Sequence, residues 1–375
     1  MAIKVITVRS AREKAQFVNL PNMLHKHHRD WERPKLQVNN VLFDYDNNPF
    51  LSKSTVKRFI ALNDGKIVGR ITGIVDQNYI DSCGEAVGLF AFFDSIDNNV
   101  VATALFNTAS QWLREREMVK ILGPAYPSPH IIDGLLIDGF SFDPYYIAPW
   151  NQNYYKSLFE SSGFQKANDY QSWRVTADAN NESSNSIDDV EANNSSISFM
   201  SYSVVKKHKK PIPDDIWRKF TSINSSNGGE LIMSHGETDL LRNLYRNMLS
   251  PCQVTVAEFN NTPVGMAIII PDYYDAHILS RGRISPIRNI IFQWNKQKHR
   301  KGRLAFIQVS KNQIDSDLKG ELLKNSILHA AENNLQVTEI ASINEDDVEL
   351  QKILGNSNYK KYKTFRLYHR PLRQA

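Results

Sequence analysis

Residues 178 to 198, DANNESSNSIDDVEANNSSIS, consist almost entirely of Asn, Ser, Asp and Glu. A stretch with so few apolar side chains cannot offset the entropy of ordering its backbone, so it is expected to be a disordered linker. It divides the chain into residues 1–177 and 199–375, each of ordinary domain size. The 375-residue chain is 41% hydrophobic and 23% charged, enough apolar surface for a core on either side.

The two sides carry the same order of local signals. In RFIALNDGKIVGRITGIV (58–75), Asp64-Gly65 stands between two β-rich runs and predicts a hairpin. Val87 to Ile96 is a further apolar run. A helix capped by Asp97-Asn98 then places Leu105, Ala109, Trp112 and Leu113 on one face, and Lys120 to Leu122 forms a short strand stopped by Gly123-Pro124. Beyond the linker, VTVAEFNNTPVGMAIII (254–270) predicts strand, Asn260-Asn261 turn and strand, and Ala305 to Val309 a buried strand. A helix from Leu318 to Asn333 buries Leu323, Ile327, Ala330 and Ala331, and Glu339 to Ile343 follows as a strand.

Bulk properties exclude several classes. The first residues, MAIKVITVRSAREKAQF, hold no apolar stretch of signal-peptide length, and no run of membrane-spanning length occurs, so a cytoplasmic chain is expected. Cys83 and Cys252 lie far apart without metal-ligand spacing. The net charge of +5 is spread among 40 acidic residues, and nucleic acid is not an expected partner. KKHKK (206–210) reads as a solvated charge run, and so does the H-K-H-H segment of His25, His27 and His28.

Hairpin, central strand, long helix, strand, short helix and closing strand is the order of the GNAT acyltransferase fold. The first half supplies Asn48-Pro49-Phe50, DGKIVGRI (64–71), GLFAFFDSID (88–97), Gly123-Pro124, GLLIDGF (134–140) and NYYKSLFESSGF (153–164). The second supplies PVGMAIIIPD (263–272), Glu345-Asp346 and YKKYKTFRLYHRPL (359–372). On these segments the chain resembles the bacterial two-domain GNAT-like N-acyltransferases, a family that includes ceramide-synthase-type enzymes. The resemblance implies an α/β protein of two tandem GNAT-like domains, each a mixed central sheet flanked by helices.

It also implies a chemistry. An acyl-CoA or acyl-phosphopantetheine donor lies along the central strand where two parallel strands diverge, with its phosphates on the next helix N-terminus. An amine attacks the thioester directly, without metal or redox cofactor, while a strand N–H steadies the oxyanion. In the second half the donor-binding positions are Ile307 and Val309 on the strand and Leu318, Lys319 and Gly320 at the helix start. Catalytic candidates are His130 with Asp133 in SPHIIDGLL, Tyr155 in the late helix, and Glu345 with Asp346 after the last strand before the short helix. Each has a plain alternative: a turn His with a capping Asp, an aromatic packed in the interior, and an acidic first turn favoured by the helix dipole.

Departures from the family pattern support a second reading, a catalytically inactive GNAT-like binding or scaffold protein. Asp315 and Asp317 stand where phosphate oxygens would rest, and Asp97-Asn98-Asn99 replaces a Gly loop in the first half. The late-helix tyrosine of these enzymes is replaced by Phe159 and Gln351. Finally, SPIRNIIFQWNKQKHRKGR (285–303) begins with a good cap, Ser285-Pro286, and lines up Ile287, Ile290, Ile291 and Trp294 before a basic run. That pattern fits contact with acyl-carrier protein or an anionic membrane surface, and equally a packed helix followed by a solvated loop.

Overall fold

The computed structural model describes residues 3–28, 31, 48–49, 51, 53–125, 134–145, 149–176, 197–204, 236–237, 239–240, 252–280, 285–296, 298, 300–310, 318–335, 337–355 and 359–372. His130, Asp133, Asp315, Asp317, the 206–210 run and linker residues 178–196 lie outside them. Ile197 and Ser198, assigned to the linker by composition, already begin a strand.

The first half runs β1 (Ile3–Thr7), α1 (Ala11–His25), β2 (Thr55–Asn63), β3 (Lys66–Val75), α2 (Gln77–Cys83), β4 (Val87–Ser95), α3 (Asn99–Arg114), β5 (Lys120–Gly123), β6 (Leu135–Asp138), α4 (Tyr155–Ser161) and β7 (Gln165–Thr176). The second runs β8 (Ile197–Val204), β9 (Cys252–Phe259), β10 (Thr262–Pro271), α5 (Tyr274–Ser280), α6 (Ser285–Lys296), β11 (Lys301–Val309), α7 (Leu318–Glu332), β12 (Val337–Asn344), α8 (Val348–Gly355) and β13 (Lys360–Pro371).

Both hairpins turn as their sequences demand. Asp64 and Gly65 have φ of 49° and 78°, and Asn260 and Asn261 have 48° and 60°. Positive φ at both central residues makes the tight turn whose twist matches the flanking strands. The copies agree in finer detail: Gly69 and Gly265 are each the fourth residue of the strand after the turn. A Cβ on Gly69 would meet Leu105 at 2.7 Å, and one on Gly265 would meet Leu322 at 3.0 Å. Each glycine therefore lets the long helix of its half, α3 or α7, settle onto the sheet.

Ser10 and Glu13 close a capping box on α1, and Asn98 caps α3 through the Val100 and Val101 N–H groups. The buried stripe of α3, including Leu105, Phe106, Ala109, Trp112 and Leu113, packs on Phe59, Ile71 and Phe90 of the sheet. In the second half Leu322, Leu323, Ile327 and Ala330 of α7 pack on Val264, Ala267 and Leu304. Phe17 and Leu20 of α1 cover the opposite face at Ile60 and Ile67.

The described strands join in one sheet of order β1-β2-β3-β4-β5-β13-β7-β12-β11-β10-β9-β8, with β6 also on β13. Pairing is parallel at β4/β5 and β11/β12 and antiparallel elsewhere. The closing strands are exchanged. β13, from the second half, inserts between β5 and β7 of the first, while β7 lies between β12 and β13. Two GNAT-like units are thus fused into a continuous sheet.

Candidate active site

Each half contains one parallel pair, and in each the pair separates after three or four residues. β4 and β5 stay together from Val87–Leu89 to Lys120–Leu122, and β11 and β12 from Lys301–Leu304 to Val337–Ile340. In both, the central strand bulges near the point of separation. The register of β4 against β3 slips around Phe92, which has φ of 51°. The register of β11 against β10 slips at Ala305, since Leu304 faces Ile269 while Phe306 faces Ile268. A bulge turns a backbone N–H out of the ladder, where a developing oxyanion can use it.

What fills the two openings differs. In the first half Phe90 and Phe93 of β4 enclose a set of buried rings. Phe93 stacks on Phe106 at 4.5 Å, and Phe159 of α4 stands 5.0 Å from Phe106 and 5.2 Å from Phe93. The Ala125 N–H donates to the Phe90 carbonyl at 2.8 Å, occupying strand edge that a pantetheine arm would pair with. In the second half Ala305 at the bulge is exposed, and Phe306, Ile307 and Val309 are half-buried. Ile307 and Val309 pair with Ala267 and Gly265 on the β10 side, while pairing to β12 among the described residues ends at Leu304.

The next described helix after β11 starts at buried Leu318. The Lys319 ammonium is bound by Asp347 at 2.6 Å, and Gly320 sits beside Ile353. The expected donor-binding positions are therefore gathered on β11 and the first turn of α7. Glu345 and Asp346 lie in the turn after β12, adjoining Asp347, and reach across to β7. Glu345 accepts from the Asp169 N–H at 2.9 Å and pairs with Lys166 at 2.6 Å; Asp346 accepts from Asn168 at 2.9 Å. Asp169 in turn receives a bidentate Arg366 at 2.7 and 2.9 Å. These carboxylates clasp the exchanged strands.

Tyr155 lies in the first half, apart from that group. It is buried, and its hydroxyl accepts from the Ser95 N–H at 3.2 Å, donates to Asp94 at 3.3 Å and stands 3.3 Å from His25 Nε2. Burial pushes its pKa well above the ordinary phenol value. Burial alone would raise the Asp94 pKa, but Arg70, 2.7 Å away, and His25 bring it below the usual carboxylate value. His25 is no solvated turn residue: it ends α1, is 2% exposed and packs on Trp31 and Trp150 with ring centroids at 5.3 and 5.0 Å. This partnered network ties α1, β4 and α4 together.

A second polar cluster, absent from the sequence-based candidates, crosses the sheet where β11 and β12 are still paired. Arg303, Glu339 and Arg174 are successive cross-strand neighbours on β11, β12 and β7. Tyr362 and Lys363 join them from an irregularity in β13. The Tyr362 hydroxyl donates to Glu339, whose other oxygen lies 3.4 Å from Arg303 Nε. Arg174 lies 4.3 Å over the Tyr362 ring. Lys363 donates to the Asp143 carbonyl at 2.7 Å, and burial pulls its pKa down to about 8. Tyr145 is buried nearby, beside Arg174. Tyr362 and Lys361 also line a cavity of about 430 Å³ walled by Asp138 to Phe142. The cluster thus lies between β11, two residues before the Ala305 bulge, and a pocket. Its signal in the sequence is a charge set among apolar residues in each of two strands, Arg303 in GRLAFIQV and Glu339 in VTEIASIN.

No protein-family model matches the chain. It is 23% identical over 384 aligned positions to bacterial ceramide synthase of Caulobacter vibrioides, covering 99% of this chain and 98% of that one. It is 31% identical to protein YghO of Escherichia coli over 157 positions, 42% of this chain and 40% of that one. Among solved structures, a tandem GNAT protein from the clavulanic acid biosynthesis pathway superposes with a TM-score of 0.55 at 10% identity, covering both chains fully. A GCN5-related N-acetyltransferase from Anabaena variabilis gives 0.51 at 11% identity, covering 99% of this chain and 73% of that one.

Proposed function

We propose that this chain, a two-domain GNAT-like protein related along almost its whole length to bacterial ceramide synthase, is an N-acyltransferase with its working cleft in the second half. The observation that carries this reading is the contrast between the two openings among the described residues: buried aromatic rings fill the one at β4, and at β11 Ala305 is exposed. The first half then serves as a structural partner. A thioester donor, acyl-CoA or the phosphopantetheine arm of acyl-carrier protein, lies along Ile307 and Val309 with its carbonyl at the Ala305 bulge. The acceptor is the primary amine of a small or lipid-like molecule entering by the cavity beside Tyr362.

Attack by the amine lone pair forms the C–N bond, and collapse of the tetrahedral adduct breaks the C–S bond and releases a thiolate. The Glu339 and Tyr362 pair takes up the amine proton, and a β11 N–H steadies the oxyanion. The name of the full-length relative, a ceramide synthase, favours a long-chain amino alcohol as acceptor.

The test follows thiol release from acyl-CoA and from acyl-carrier protein, with a long-chain amino alcohol and with a short water-soluble amine. Glu339→Gln should lower turnover at least about a hundredfold, measured at a temperature where the variant stays folded by circular dichroism. No thiol release with any pair identifies a binding protein. Release that Glu339→Gln leaves intact moves the base elsewhere, with His130 and Asp133 next in line and Glu345 and Asp346 after them.

A further inference from the structure

The excursion between β10 and β11 has two unlike sides. Its inner side is buried: Tyr274, Ala276, His277 and Ser280 of α5 face the protein, and Phe292 of α6 lies 5.3 Å from His277 and 6.2 Å from Tyr273. Its outer side projects apolar groups. Leu279 is 59% exposed, Ile287 45%, Ile290 65% and Trp294 65%. Four of the eleven exposed large hydrophobic residues among those described fall in this one excursion, so the patch is concentrated. Ile287, Ile290 and Trp294 recur at i, i+3 and i+7 and therefore share one face of α6.

The charge on α6 is all positive, and the exposed carboxylate of α5, Asp275, is paired with Lys301 at 3.0 Å. Residues 281–303 contain eight Lys and Arg and no Asp or Glu. Arg288, Lys298 and Arg300 are exposed, and the Lys298 ammonium lies 5.4 Å from the Trp294 ring, at the rim of the apolar face. An apolar stripe with a tryptophan and a cationic rim is what a helix lying in a bilayer interface presents. Four side chains make too small a face for a stable protein partner, which buries about 800 Å² a side. They suit shallow insertion among acyl chains, where the basic rim meets anionic headgroups.

We infer that α5 and α6 dock this protein on an anionic membrane surface. The excursion is continuous with the proposed site: the Asp272 N–H donates to the Lys301 carbonyl at 2.8 Å, closing its base, and Arg303 of the Glu339 cluster follows two residues later. Docking therefore sets the site at the bilayer. Its purpose, collection of a lipid-like amine, rests on the proposed acyl transfer; the docking itself does not.

Co-sedimentation with vesicles of phosphatidylcholine, alone or with about one-third phosphatidylglycerol, tests the inference. The protein should bind only the anionic vesicles, and lose them in high salt as screening grows. Ile290→Glu/Trp294→Glu and Lys298→Glu/Arg300→Glu should each weaken binding on the order of a hundredfold. Both variants should keep the wild-type Tm and full turnover of a short water-soluble amine. Failure of the wild type to bind anionic vesicles at low salt overturns docking, as does equal binding by either variant. Binding to acyl-carrier protein in place of vesicles overturns it too. Vesicle binding with the stated pattern but no thiol release from any donor leaves docking standing and removes the acyl-transfer reading.

Discussion

Replacing Lys363 with methionine should stabilise the protein at neutral pH and flatten its response to alkali. Lys363 is 3% exposed, and its ammonium donates to the Asp143 carbonyl at 2.7 Å. Burial is the main force lowering its pKa from 10.5 to about 8; Arg174 and Arg303 push the same way, while Glu339 and Asp272 oppose them. Between these two values the unfolded chain holds a proton that the folded chain has released. Stability therefore rises with pH across this window, and the full cost of burying the cation is present below about pH 8. At about 1.4 kcal/mol per unit, that cost is on the order of 3 kcal/mol. Methionine avoids it but forfeits the bond to Asp143, worth about 1 kcal/mol, so the variant should gain roughly 2 kcal/mol at pH 7. Urea unfolding of both proteins at about pH 7 and pH 9.5 measures this. The wild type should recover about 2 kcal/mol relative to the variant between the two conditions. Parallel behaviour of the two proteins would show that Lys363 is not buried as a strained cation.

Two further outcomes follow from the sheet and the cleft. Cutting the chain within 178–196 should leave fragments that co-elute under native conditions, because β13 pairs with β5 and β7 while β7 pairs with β12. Separation into two compact monomers by size-exclusion chromatography would contradict the exchanged pairing. Ala305→Trp should imitate the aromatic filling of the first half, lowering donor affinity at least about tenfold by calorimetry while shifting Tm by only a few degrees. Unchanged affinity would move the donor to the other opening.

Local chemistry made much of the fold legible. The turns at Asp64-Gly65 and Asn260-Asn261, the cap at Asn98 and the apolar stripes of α3 and α7 are written in short windows, and each stands where its window places it. The strand exchange is not written there. QKANDYQSWRVT and KKYKTFRLYHRP both look like closing strands, and nothing in either says which half it closes. The Glu339 cluster was hidden for the same reason, since only the exchange brings Arg174 of β7 and Tyr362 of β13 beside the Arg303 and Glu339 pair. His25 misled differently: three histidines within four residues look like a wet turn, and only the tertiary fold buries the first beneath Trp31 and Trp150.

The position of β13 also governs how the protein can be made. During synthesis β5 and β7 emerge long before Lys360–Pro371, the segment that lies between them. At about 5–20 residues per second, the gap between β5 and β13 lasts roughly ten to fifty seconds. Throughout it, two strand edges carry backbone groups whose eventual partner does not yet exist, a template for pairing with neighbouring nascent chains. The first half cannot mature on the ribosome ahead of the second, as independent domains do. A frameshift or stop shortly before residue 360 would therefore damage the amino-terminal half, the part of the protein farthest from the lesion in sequence.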